Sequence, residues 1–272
     1  MIRDLLVHVD GSTNSRSRVR FAVELAERIG ARLTGLHIKP PVEIRPVKPT
    51  QVDAAVAQAS AALTHEAVKA AKIFEEEAMQ RQPDARWFAS DGDVVQGVTE
   101  RARYADMIIL GQYEWQRPAE AHPLPISASI VLKCGRPVLV VPAGAASCSF
   151  AKIAIAWDGS REAVRAVHDA LPLLSIAQSV HLLTVIPLSG AGDLEADSLV
   201  AHLANHGVAI EAKAEGVKLE DERRLLQRRI DEGDYDLLIM GAYSHPIWLE
   251  FIFGGVTQSA LLSSRIPVLV SH

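Results

Sequence analysis

Only two cysteines, Cys134 and Cys148, occur in the 272-residue chain. A disulfide framework is therefore not indicated, and a reducing compartment is the better fit. A basic excess is missing as well. The formal charge is −5, which argues against a nucleic-acid-binding surface. The densest basic cluster, Arg223-Arg224 with Arg228-Arg229, lies among Glu220, Asp221, Glu222, Asp231 and Glu232, and such mixing marks a solvated helix face. No apolar run reaches the roughly 18 residues that a membrane span needs. The first apolar stretch, Leu5 to Val9, is interrupted by His8 and stops at Asp10, too short and too polar for a signal peptide. These absences describe a soluble, cytoplasmic protein with neither nucleic acid nor membrane as a partner.

What the chain does have is apolar content, 49% of its residues, and a sequence that repeats. Leu5-Leu6-Val7-His8-Val9-Asp10-Gly11-Ser12 is matched by Ile153-Ala154-Ile155-Ala156-Trp157-Asp158-Gly159-Ser160, an offset of 148. Tyr104 to Gly111 is matched by Asp234 to Gly241, and Arg136-Pro137-Val138-Leu139-Val140 by Ile266-Pro267-Val268-Leu269-Val270, both at an offset of 130. The landmarks keep their order, so the first copy carries 148 − 130 = 18 more residues in its middle. Lys39 to Gln80, proline-rich and then alanine-rich, is the expected place for them. Pro142 to Ser147, a loop of small residues, is the expected join, and it divides the chain into domains at 1–145 and 148–272.

Within each copy, short β-branched runs alternate with helical patterns. Strands are expected at Leu5–Val9, Leu33–Ile38, Trp87–Ala89, Met107–Leu110 and Val138–Val141. In the second copy they are expected at Ile153–Ala156, Val180–Ile186, Val208–Glu211, Leu237–Met240 and Val268–Val270. Runs of this kind suit strands buried on both faces. Ala22, Leu25, Ala26 and Ile29 fall on one helical face, as do Val164, Val167, Leu171 and Leu174. Ser12 and Ser160 stand where helix N-caps are wanted. The alternation predicts an α/β chain of two tandem doubly wound parallel-sheet domains, Rossmann-like, with about five strands each. The fifth strands would be bare sheet edges, so Val138–Val141 is expected to pair with Val268–Val270 about a pseudo-twofold axis.

In such sheets ligands bind beyond the carboxyl ends of the strands. There the second copy presents Asp158, Val185 and Met240-Gly241, then Gly254-Gly255-Val256-Thr257 leading into a helical stretch. Gly255, Val256 and Thr257 would form a first helical turn, whose free N–H groups and dipole attract an anion. Val185 and Met240 would enclose an adenine ring. The first copy has Leu124, Pro125, Ile126 and Ser127 in place of Gly254 to Thr257 at the same offset, and His37 in place of Val185. Pro125 has no N–H to offer, so that site reads as degenerate. Glycines demanded only by a turn would be expected in both copies.

With its Asp-Gly-Ser after strand one and its Met-Gly, loop and glycine pair after strand four, the chain resembles a tandem member of the universal stress protein family over nearly all of both halves. The family pattern is Gly, two residues, Gly, nine residues, Gly, then Ser or Thr. Gly241, Ser244, Gly254 and Gly255 fill that frame here, with Ser244 at the second glycine and Gly255 at the hydroxyl position. The resemblance implies that Asp158, Val185, Met240 and Gly241 hold adenosine, and that Ser244, Gly254, Gly255, Val256 and Thr257 hold phosphates. It also implies a stress-response regulator that binds ATP, ADP or AMP, with Mg²⁺ on the phosphates. The alternative is a nucleotide-independent interaction module acting on a protein partner. An enzyme is not expected beyond slow ATP hydrolysis, because no general base stands near the phosphates. Trp248 to Phe253 is the expected homodimer contact. Ser244-His245 lacks a carboxylate to orient a catalytic histidine. His202 and His206 are spaced i, i+4, but no third metal ligand stands near them in sequence.

Overall fold

The computed structural model describes residues 1–42, 49–112, 126–145, 148–186, 193–216, 228, 230, 232, 235–242, 260–261 and 264–272. The first half runs β1 (Asp4–His8), α1 (Ser15–Ile29), β2 (Arg32–Lys39), α2 (Val52–Phe74), β3 (Arg86–Asp91), α3 (Val94–Ala102), β4 (Met107–Gly111), α4 (Ile126–Cys134) and β5 (Val138–Val141). The second runs β6 (Lys152–Trp157), α5 (Arg161–Leu174), β7 (Ser179–Ile186), α6 (Asp193–Asn205), β8 (Ile210–Gly216), β9 (Leu237–Gly241) and β10 (Val268–Ser271).

The strands form one ten-stranded sheet in the order β3-β2-β1-β4-β5-β10-β9-β6-β7-β8. Within each half every pairing is parallel. At the centre, β5 and β10 pair antiparallel, with Leu139 opposite Leu269 and Val138 opposite Val270. Leu139 and Leu269 are counterparts at the offset of 130, so the pseudo-twofold axis passes between them, as the sequence predicts. One apolar cluster lies under α1, α2, α5 and α6, and a second lies under α3 and α4 on the opposite face. Leu5, Val7, Ile153 and Leu269 belong to the first, and Leu6, Ala154 and Val268 to the second. This alternation is what strands buried on both faces require. Each wholly buried leucine or isoleucine contributes roughly 1.5–3 kcal/mol.

Other contacts tie the halves together. Phe21 and Phe150 meet edge to face with ring centres 5.9 Å apart. Arg28 Nη1 donates to the Cys148 carbonyl at 3.2 Å, and Gln112 Nε2 to the Ser264 carbonyl at 3.1 Å. Both cysteines are buried and free. Burial, followed by the charge of Glu24, pushes the Cys148 thiol up to about 12, and burial raises Cys134 as well.

Four details differ from the sequence reading. The third strand of the second half begins at Ile210, not Val208. Gly207, at φ +75°, turns the chain out of α6, and the Val208 N–H is still held by the Leu203 carbonyl at 3.1 Å. Ser160 caps α5, its hydroxyl accepting from the Ala163 N–H, but α1 starts later than expected and Asn14, not Ser12, precedes it. Val164 is 41% exposed; the buried stripe of α5 runs through Ala163, Ala166, Val167, Ala170, Leu173 and Leu174. Finally, the strand registers refine the alignment. Asp4 faces Arg32 where Lys152 faces Ser179, so the offset is 148 at the first strand and 147 at the second. The counterpart of Val185 is therefore Ile38, and His37 corresponds to Thr184. At the third strands, Thr34 faces Arg86 where His181 faces Glu211, an offset of 125. The first half is thus 147 − 125 = 22 residues longer between its second and third strands, and the second half regains 130 − 125 = 5 before its fourth.

Candidate functional site

The strand order reverses beside the first strand of each half, between β1 and β4 and between β6 and β9. At such a switch point the two connections leave in opposite directions and open a crevice beyond the carboxyl ends. The two halves fill this region differently.

In the first half Asp10 follows β1. Its Oδ1 accepts from the Ser12 N–H at 2.9 Å and the Ser15 hydroxyl at 2.6 Å. Its Oδ2 lies 3.3 Å from Arg18 Nη2, which also donates to Ser15 Oγ at 2.8 Å. Arg18 is 5% exposed, and its guanidinium lies against Gly111 at the end of β4. A Cβ built on Gly111 would fall 1.7 Å from Arg18 Nη1. Burial by itself would raise the Asp10 carboxyl. The charges of Arg18 and His8, with the Ser12 and Ser15 hydrogen bonds, outweigh that and hold it well below the usual carboxylate range. The long α2 closes the flank. Lys69 Nζ donates to the Gly11 carbonyl at 2.7 Å, and a Cβ on Gly11 would meet Glu66 Cγ at 2.2 Å. His37 is buried, with Nδ1 2.9 Å from the Val9 carbonyl oxygen. Arginine thus occupies the place where a ligand would approach β1 and β4.

In the second half Asp158 follows β6, and Ala163 and Ala166 stand where the first half has Ser15 and Arg18. Asp158 is exposed. Its Oδ1 accepts from the Ser160 N–H at 3.0 Å and the Ser160 hydroxyl at 2.6 Å. Met240 is buried near the end of β9, opposite Ala156, and Gly241 follows it. Val185 lies in β7, on the other side of β6, paired with Glu215 of β8. Asp158, Val185, Met240 and Gly241 are thus gathered at the carboxyl ends of three adjacent strands. Ser244, Gly254, Gly255, Val256 and Thr257 lie outside the described residues, as does Trp248–Phe253.

Gly241 has a packing role of its own. A Cβ there would lie 2.5 Å from the Ala163 nitrogen and 2.8 Å from the Glu162 carbonyl carbon. Both are backbone atoms and cannot swing aside. With Ala163 and Ala166 small, α5 settles directly onto β9. Gly241→Ala should therefore destabilise the chain by about 1–3 kcal/mol, the usual range for overpacking, as read from the midpoint of urea unfolding. An unchanged midpoint would show that β9 and α5 can part without cost.

Sequence reasoning missed Arg18. The signal was available: Arg18 lies one turn before Ala22, on the helix face shared by Leu25, Ala26 and Ile29. A charge on an otherwise apolar stripe needs a partner, and Asp10 is the nearest acid before it.

Fold and crevices together define a tandem α/β protein built from two doubly wound units, each with its own switch point. The chain belongs to the universal stress protein family, whose model matches residues 1–142 and again residues 149–272. A universal stress protein from Archaeoglobus fulgidus DSM 4304 superposes with a TM-score of 0.74 at 15% identity, over 98% of this chain and 95% of that one. Protein PA1789 from Pseudomonas aeruginosa PAO1, described as functionally unknown, superposes with a TM-score of 0.62 at 16% identity, over 99% and 92%. A shorter universal stress protein solved in complex with cAMP is 18% identical over 53% of this chain and 99% of its own, with a TM-score of 0.38. No curated protein matches the chain. No helix among the described residues is long and apolar enough to cross a membrane.

Proposed function

We propose that this universal stress protein is a cytoplasmic stress-response regulator that binds one adenine nucleotide in its second domain, residues 148–272. In this reading the first domain, residues 1–145, carries a degenerate site. The observation that supports it is the exchange at the switch points: Asp10 is held by the buried Arg18, whereas Ala166 stands in that place beside Asp158. Asp158, Val185, Met240 and Gly241 would hold the adenosine. Ser244, Gly254, Gly255, Val256 and Thr257 would hold the phosphates, with Mg²⁺ as their counter-ion. That phosphate set contains no carboxylate, histidine or lysine to serve as a general base, so the role is binding rather than rapid turnover.

A second reading, an interaction module without nucleotide, draws support from Gly241, which packing against α5 explains without a ligand. One experiment separates the two. Freshly purified protein is denatured and the released small molecules are identified by mass spectrometry; the ligand-free chain is then titrated with ATP, ADP and AMP in a calorimeter. The nucleotide reading expects an adenine compound or uptake of one equivalent per chain. No release and no uptake would leave the interaction module.

A further inference from the structure

His202 and His206 lie one turn apart at the end of α6, and His168 reaches them from α5. The ring centres are 4.9 Å apart for His202 and His206, 5.3 Å for His168 and His202, and 6.5 Å for His168 and His206. All three residues are exposed. The fold thus supplies the third imidazole that the i, i+4 pair lacked in sequence.

We propose that His168, His202 and His206 form a binding site for a borderline divalent cation of the Zn²⁺ or Ni²⁺ class. Imidazole nitrogens suit these ions. With metal–nitrogen bonds of about 2.0–2.1 Å and tetrahedral angles, three imidazole rings on one ion have their centres about 5 Å apart. Two of the three separations already have that value. Among the described residues, no three histidine, cysteine, aspartate or glutamate side chains are already placed to hold a metal ion. The imidazoles must therefore turn about their side-chain bonds, and His168 must close toward His206. Exposed side chains on α5, on α6 and in the turn after α6 can make that movement without repacking a core. His168 and His202 also line a cavity of about 490 Å³ with Trp157, Val167, Ser198 and Leu199. This leaves room beside the ion for water to take the remaining position. The site would clamp α6 onto α5, and its cavity extends to Trp157 and Gly159 on either side of Asp158.

Calorimetric titration of the EDTA-treated full chain with ZnCl₂, and separately with NiCl₂, tests this. Wild type should take up one ion per chain. His168→Ala, His202→Ala and His206→Ala should each weaken uptake by roughly a hundredfold, since even the outer hydrogen-bond partners of metal ligands are worth about 10–100-fold. Because the three residues are exposed, the variants should match wild type in circular dichroism and thermal midpoint in EDTA. Zn²⁺ should then raise the midpoint of wild type alone. Absence of uptake by wild type overturns the site, and so does equal uptake by wild type and all three variants.

Discussion

Asp10→Asn is expected to destabilise the protein by about 3–5 kcal/mol, the typical result of removing one partner from a buried ion pair. The variant keeps an acceptor for Ser12 but leaves the Arg18 guanidinium, 5% exposed, facing an amide instead of a carboxylate. Adding Arg18→Leu should recover much of the loss, because the double variant no longer buries an uncompensated charge. The pH dependence has a definite sign. Asp10 is held below the ordinary carboxylate range in the folded chain, so its contribution is fully present above the unfolded value of about 3.9. It is lost progressively as the pH falls below that value toward the folded pKa. Wild type and Asp10→Asn should therefore differ most near neutrality and converge in strong acid. Urea unfolding at several pH values measures this. A difference below about 1 kcal/mol at pH 7, the range of an exposed ion pair, would show that Arg18 does not depend on Asp10.

Gly255→Pro is expected to abolish nucleotide binding in the second domain. The change copies Pro125 of the first domain and removes one N–H from the proposed phosphate site. A charge-assisted hydrogen bond is worth about 1.5–3 kcal/mol, or roughly ten- to a hundredfold in affinity, and the ring adds a steric barrier. Ser244→Gly is the reciprocal test. It restores the glycine of the family frame and should tighten ATP binding while leaving the fold intact. Calorimetric titration of wild type and both variants with ATP, ADP and AMP reads both effects. If neither wild type nor Ser244→Gly binds any of the three, the glycines serve only a turn.

The architecture was legible because it is written in local signals. Most strands are short apolar runs, and the P-V-L-V runs of the two copies place Leu139 and Leu269 at the same step of an edge strand. The rule that bare edges are covered suggested their pairing; β3 and β8 remain the edges of the finished sheet. The filled crevice of the first half was harder to read, because its parts are distant in space until the chain folds. Arg18 is one turn into a helix, and Gly111 is some 90 residues further on; their contact exists only once β1 and β4 are neighbours. The difference between His37 and Ile38 as the counterpart of Val185 has a simpler cause. A single residue fewer between β6 and β7 shifts the comparison by one, and in a strand a shift of one exchanges the two faces of the sheet. The histidine trio shows the same limit: α6 supplies His202 and the turn after it His206, and only tertiary packing brings in His168.

The antiparallel seam between β5 and β10 has a consequence for how the halves can differ. Two identical chains meeting at such a seam would carry every residue twice, so an arginine that fills one crevice would fill both. Covalent fusion breaks that bond between the sites. One copy can exchange an alanine for Arg18 and lengthen its second helix while the other keeps Ala166, and the seam at Leu139 and Leu269 remains self-complementary. It also makes the partner permanent. Pairing across the seam is intramolecular, so it does not weaken on dilution as a two-chain dimer would. The joined chain can thus hold two unlike crevices in one sheet at any cellular abundance.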